Sequence, residues 1–305
     1  MQQTDFKPTA DLLDFYRAQS PFSQSELLEV QPDWALSRLA EIAQQHLLHY
    51  GWLGAYHTEG TAEKLQQINT RRIDSLLKAR QQAGFQLTDQ AVPQQRHLGC
   101  CRDFSLFFTA LLRAQEIPAR SRVGFAGYFR AGHWHDHVIS EHWNGERWVR
   151  VDPQLDQLQQ DAVQLGFDPL DMPFDPTVFV TAAEAWQLYR AGKIDPWHYA
   201  IFPGSPIGGP GFIRGNLLHE LWSLNIIELL LWEGPPEFWR DVEDLSDLEL
   251  QEMDLLAAYL ASGTETLEGL QHWLHKYPAE YIICRAPNGF EEEWDLEPDP
   301  LLTGA

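Results

Sequence analysis

The chain predicts an α+β fold in which one apolar helix leads into antiparallel strands, with mainly helical regions on either side. Three observations carry this. Residues 101–115 repeat large apolar groups at helical spacing (Phe104, Phe107, Phe108, Leu111, Leu112) and stop before Pro118. Residues 120–152 then change to period-two alternation, with an Asn144-Gly145 pair between two apolar runs, a strong hairpin signal. Both flanks return to helical spacing, and no internal repeat links them.

Taken in order, residues 9–50 read as helical. Leu12, Leu13, Phe15 and Tyr16 form one stripe, and Trp34, Leu36, Leu39, Ile42 and Leu47 a second, with Pro21 and Pro32 as breaks. Residues 61–83 read as a polar helix that buries Leu65, Ile68, Ile73, Leu76 and Leu77 and stops at Gly84, and 86–98 read as a loop. Strands are expected at 120–128, 137–143 and 147–152. Gly132 and Trp134 mark 131–136 as a connecting loop. Asp-Pro steps make 157–182 turn-rich, and helices follow at 182–192, 214–232 and 246–276, punctuated by the loop at 203–211. The acidic tail from Glu291 is expected to fray. The division is therefore an N-terminal helical region (1–85), a core (86–160) and a mainly helical C-terminal region (161–305) that can belong to the same domain.

Composition narrows the partners. The chain has 305 residues, 44 acidic and 22 basic, for a net charge of -22. Such a surface repels a phosphate backbone or an anionic membrane, so neither is the expected main partner. No apolar run approaches the roughly 18 residues of a spanning helix. The opening MQQTDFKPTADLLDFY lacks a basic segment followed by an apolar one. Cys100, Cys101 and Cys284 are the only cysteines, an odd set that suits reduced thiols and a cytoplasmic location. No organic cofactor is expected, because the glycines of 203–211 lack the lysine of a phosphate loop. Oligomeric state is left open.

The chemistry concentrates between Gly99 and Asp156. Cys101 opens the apolar helix, where unpaired N–H groups favour a thiolate and can hold an oxyanion. A period of two puts His137, Ile139, Glu141 and Trp143 on one strand face and Val138, Ser140 and His142 on the other. A two-residue turn at 144–145 pairs Trp143 with Glu146, and hence His137 with Asp152, with Cβ atoms about 5 Å apart. Asp152 would then accept the Nδ1 proton of His137. Other readings stay open at this point: Cys101 as a core cysteine, the His–Asp pair as an ordinary cross-strand contact, a non-catalytic interaction module, or a zinc hydrolase built on His133, His135 and His137. The enzymatic reading requires a thiol that lies beside the imidazole and is open to substrate.

Several segments together resemble the transglutaminase-like superfamily of papain-fold cysteine enzymes. They are Gly99-Cys100-Cys101-Arg102-Asp103-Phe104, then Arg113-Ala114-Gln115-Glu116-Ile117-Pro118-Ala119-Arg120, then His137, Glu141 and Trp143, and finally Trp148-Val149-Arg150-Val151-Asp152-Pro153. The resemblance spans about residues 90–156. It implies a papain-like core with Cys101 as nucleophile, His137 as base and Asp152 as orienting acid. It also implies an oxyanion site made by the Cys101 N–H and an upstream side chain, Gln95, with Gln94 competing. The implied activity is acyl transfer through a thioester, with hydrolysis preferred over transamidation, on a peptide, protein or small-molecule amide or ester. Cys100 fills a variable position and receives no role. Two positions depart from the pattern: Glu116 stands where glycine is usual, and Ile139 where an aromatic often follows the histidine. Segments 212–217 and 225–230 resemble those of a bacterial group of such proteins, although a packed helix joining the C-terminal region to the core is the preferred explanation for them.

Overall fold

A computed structural model of the chain describes residues 7–296. The N-terminal region supplies α1 (Ala10–Arg17) and α2 (Leu36–His46), which bury Leu12, Phe15 and Tyr16, and Leu39 and Ile42. The second helix stops earlier than its stripe suggests. Leu47–His49 (β1) instead pairs in parallel with His97–Gly99 (β2), which also converts the end of the expected 86–98 loop into strand. The polar helix expected at 61–83 is interrupted. It comprises α3 (Ala62–Leu65), a 3-10 turn at Gln66–Asn69 and α4 (Ile73–Gln82), and the extended Thr70 and Arg72 between them let Ile68 and Ile73 both point inward. Gly84, at φ +87°, terminates it as expected.

The central helix α5 (Cys101–Ala114) is buried from Cys101 to Arg113. Just past its end, the Ile117 N–H returns to the Leu112 carbonyl and Glu116 sits at φ +61°. This is the left-handed position that glycine fills at least cost, which explains why the departure from glycine falls here.

Beneath α5 lies an antiparallel sheet of β3 (Ala119–Arg130), β4 (His133–Trp143), β5 (Trp148–Val151) and, after the short helix α6 (Gln157–Val163), β6 (Phe179–Thr181), in the order β5-β4-β3-β6. The helix rests on the Val138–Ser140 face: Ser105 Oγ meets Ser121 Oγ at 2.9 Å, Ser140 Oγ at 3.0 Å and the Ile139 carbonyl at 2.8 Å. Two expectations need correction. Residues 133–136 are strand, with only the turn around Gly132 (φ +74°) as connector. The β4–β5 register is also shifted: Trp143 pairs with Trp148 and Glu141 with Arg150. The Asn144 side chain accepts the N–H groups of Glu146 and Arg147, which widens the turn by two residues. An even shift leaves every side chain on its expected face. Residues 157–163 are helical because Asp156 caps the Gln159 N–H at 3.1 Å.

The C-terminal region adds α7 (Ala182–Arg190) and α8 (Gly209–Leu224), the latter starting five residues before the expected 214 and ending well before 232. Glu233–Gly234 (β7) follows, and the expected 246–276 helix divides into α9 (Asp247–Leu260) and α10 (Leu267–Lys276). A second antiparallel sheet joins β7 to Tyr281–Arg285 (β8) and Glu291–Asp295 (β9). The start of the acidic tail is thus ordered rather than frayed. Arg71 neutralises it, bonding Glu233 at 2.5 Å and Glu292 at 2.6 Å and stacking on Trp294; the rest of the tail lies outside the described residues. One apolar core runs through Leu12, Leu39, Leu76, Phe107, Trp186, Trp222 and Leu256, so helices from both flanks pack against the same centre. Buried arginines tie this frame together, Arg120 to Glu141 at 2.8 Å and Arg122 to Glu220 at 3.1 Å. Removing one partner of such a pair costs about 3–5 kcal/mol. Among the described residues no helix is long and apolar enough to cross a membrane.

The end of α5 gives a test. Replacing Glu116 by glycine relieves about 1–2 kcal/mol of left-handed strain against about 0.5–1 kcal/mol of added chain entropy. Glu116→Gly should therefore raise the midpoint of chemical denaturation. A lowered midpoint contradicts the helix-end geometry.

Candidate active site

Cys101 is the first residue of α5. The helix start is fixed by the Asp103 carboxylate, which accepts the Cys100 N–H at 2.7 Å and pairs with Arg102 at 2.8 Å. Gly99 is needed for room, since a Cβ there would lie 2.7 Å from Asp103 Oδ2. His137 comes from β4, and Asp152 from the residue just past β5, where its N–H binds the Pro169 carbonyl at 2.8 Å.

The three meet in one buried line. His137 Nε2 lies 2.8 Å from Asp152 Oδ2, and the Cys101 thiol hydrogen-bonds the other side of the imidazole. The contact expected between His137 and Asp152 exists, but not by the expected route. Continuing the true register would set Asp152 level with Ile139, so the carboxylate reaches the ring from beyond the strand end. The nitrogen also differs: Nε2 faces the carboxylate, which leaves Nδ1 for the thiol.

Sequence reading missed Tyr128. Its hydroxyl donates to the same Asp152 Oδ2 at 2.5 Å, while Oδ1 accepts the Gln154 N–H at 3.0 Å. A bulge in β3 between Ala126 and Arg130 re-aims this part of the strand. It brings Phe129 edge-on to His137 at 5.1 Å and Tyr128 at 6.0 Å. The aromatic wall absent at Ile139 is thus supplied by the neighbouring strand.

Burial and charge set the protonation states. Burial opposes a charged His137, but the Asp152 carboxylate and the Cys101 sulfur outweigh it and push its pKa up to about 10. Cys101 is held well below the ordinary thiol value. A hydrogen bond with the Cys100 thiol contributes most, burial opposes it, and the His137 imidazolium and a hydrogen bond with His49 add to it. Cys100, which the sequence left without a role, is pushed the other way by the same bond and by burial. These opposite shifts favour a thiolate beside an imidazolium, the reactive form of a cysteine nucleophile.

Residues 55–153 match the family model described as the transglutaminase-like superfamily. This stretch is a transglutaminase-like superfamily domain. The rest of the chain lies outside that match, although its helices share the domain's core. Among solved structures, one from Cytophaga hutchinsonii, provisionally described as a cysteine protease, is 21% identical over 42% of this chain and 40% of its own. Its TM-score of 0.18 carries no argument. No curated protein matches.

Within the transglutaminase-like domain, Gln95 does not join the thiol. It is exposed, and its side-chain oxygen accepts the Val92 N–H at 3.2 Å. His133 and His135 do share a strand face, with rings 4.5 Å apart, but each spends a ring nitrogen on a backbone carbonyl, of Ala200 and Ile201, both at 3.1 Å. Among the described residues no group of three or more His, Cys, Asp or Glu is arranged to hold a metal ion. Access is the other departure. Cys101 and His137 are each only 3% exposed, and half-buried Leu231 packs against the apolar cluster of Cys101, Val123 and Val138. In this conformation the thiol is covered.

Iodoacetamide tests the ion pair. At pH 7 it should alkylate Cys101 in preference to Cys100 and Cys284, as read by peptide mass mapping. His137→Ala should slow that reaction at least about tenfold by returning the thiol toward its ordinary pKa. Equal, slow labelling of all three cysteines, or a rate unmoved by His137→Ala, contradicts the assignment.

Proposed function

We propose that the chain is a cysteine-dependent acyl-transfer enzyme that hydrolyses an amide or ester through a thioester on Cys101. The observation that supports this best is the unbroken hydrogen-bonded line from Cys101 through His137 to Asp152.

The chemistry follows from the charges. The Cys101 thiolate attacks the carbonyl carbon, an S–C bond forms and the carbonyl π pair moves to oxygen. The tetrahedral species collapses, the carbonyl re-forms and the bond to the leaving group breaks. His137, charged at rest, gives its proton to the departing amine or alkoxide. Now neutral, it takes a proton from water as that water attacks the thioester, and expulsion of the thiolate restores the starting ion pair. Asp152 keeps the ring oriented throughout, and Tyr128 and the Gln154 N–H hold Asp152 in turn. Water serves as the acceptor, the default partner for hydrolysis of a thioester.

Burial of the thiol favours a second reading, an interaction module whose triad is shut. Under the enzymatic reading, substrate enters by displacing Leu231. Leu231→Ala should then accelerate both alkylation and acylation of Cys101.

Intact-mass spectrometry after exposure to a panel of activated esters and amides separates the two readings. The enzyme reading expects an acyl adduct on Cys101 that is absent in Cys101→Ser and decays in water. Its turnover should fall as pH drops through the lowered thiol pKa, and again as pH rises through about 10, where the imidazolium loses its proton. No adduct with any donor, including in Leu231→Ala, supports the module instead.

A further inference from the structure

A carbonyl attacked by Cys101 develops a negative oxygen, and the first turn of α5 supplies one donor for it, the Cys101 N–H. A second donor is expected, and Gln95 is engaged elsewhere. His49 stands in its place. The parallel β1–β2 ladder sets His49 level with Gly99, two residues before the nucleophile. His49 Nδ1 accepts the Gly51 N–H at 3.0 Å, so that nitrogen carries no proton and the ring's own proton sits on Nε2. The His49 side chain also hydrogen-bonds Cys101, and with Nδ1 occupied the contact falls to Nε2. The ring is stacked on Tyr50 at 5.2 Å and 12°, and is half-buried, nearer the surface than the enclosed thiol. A side chain on Gly51 would come within 3.2 Å of the ring, so the glycine lets its N–H approach.

The two imidazoles around the sulfur therefore divide the work. His137, backed by a carboxylate, carries charge and moves the proton. His49, backed by an N–H donor, presents a fixed N–H. We infer that His49 is the side-chain donor of the oxyanion site, its Nε2–H acting with the Cys101 N–H on the oxygen that becomes negative when the thiolate adds to a carbonyl. This rests on the acyl-transfer reading and assigns a residue outside the matched stretch of 55–153.

p-Nitrophenyl acetate and iodoacetamide distinguish this role from a structural one. The ester reacts through an oxyanion: the S–C bond forms, the π pair moves to oxygen, and collapse expels p-nitrophenolate with its bonding pair. Alkylation displaces iodide directly and makes no oxyanion. At one pH, the ratio of acylation to alkylation rates should fall about 10²–10³-fold in His49→Leu. His49→Gln, which keeps an amide donor, should recover at least about tenfold of that loss. An unchanged ratio in His49→Leu, or acylation and alkylation falling together without rescue by glutamine, overturns the inference while leaving acyl transfer standing. Absence of a p-nitrophenolate burst from the unmodified protein, and from Leu231→Ala, overturns both.

Discussion

The buried contact of His137 with Asp152 on one side and Cys101 on the other, which favours an imidazolium, is the arrangement to which the rest of this chain is subordinate. None of the three charges survives burial alone. Removing one partner of such a set leaves an uncompensated charge, at a cost of several kcal/mol. The line from Cys101 to Asp152 is drawn from a helix tip, a strand and the residue beyond another strand, so all three elements must be placed before any one charge is tolerable. The serine contacts between α5 and the sheet, and the buried arginine pairs around them, supply that placement.

The division of roles follows from what backs each ring. Asp152 is saturated by Tyr128, Gln154 and His137, which fixes its carboxyl group beside the His137 ring. Under the proposed oxyanion role, His49, whose Nδ1 accepts a backbone N–H, presents its Nε2–H to the same sulfur. Cys100 completes the set as a hydrogen-bond partner of the Cys101 sulfur, a role its variable place in the family motif does not suggest.

The long periodic elements were legible in the sequence, and Cys101, His137 and Asp152, singled out there as candidates, lie together in the fold. Helix α5 and the faces of β4 follow from spacing alone. The hairpin register did not follow, because the Asn144 side chain builds a turn two residues wider than the Asn-Gly pair implies. The His–Asp contact survived because an even slip preserves faces and Asp152 is free of the ladder. The three-residue strands β1 and β2 hold too little alternation to read, and His49 was hidden with them. Tyr128 was hidden by a bulge, which no residue pattern announces. Strand β9 was masked by the run Glu291-Glu292-Glu293, whose charge is met by Arg71, more than two hundred positions away. Leu231 is likewise distant in sequence from Cys101, Val123 and Val138, against which it packs.

Protonation of His137 at rest is the point on which this picture stands. Nitrogen-15 NMR of the histidine side chains, assigned through a His137→Gln variant, reads it without any substrate. The His137 ring should carry both protons at pH 7 and titrate near 10, and Cys101→Ala should lower that value toward the ordinary imidazole range. A ring that is neutral at pH 7, or a titration indifferent to removal of the sulfur, would mean that no thiolate–imidazolium pair exists here.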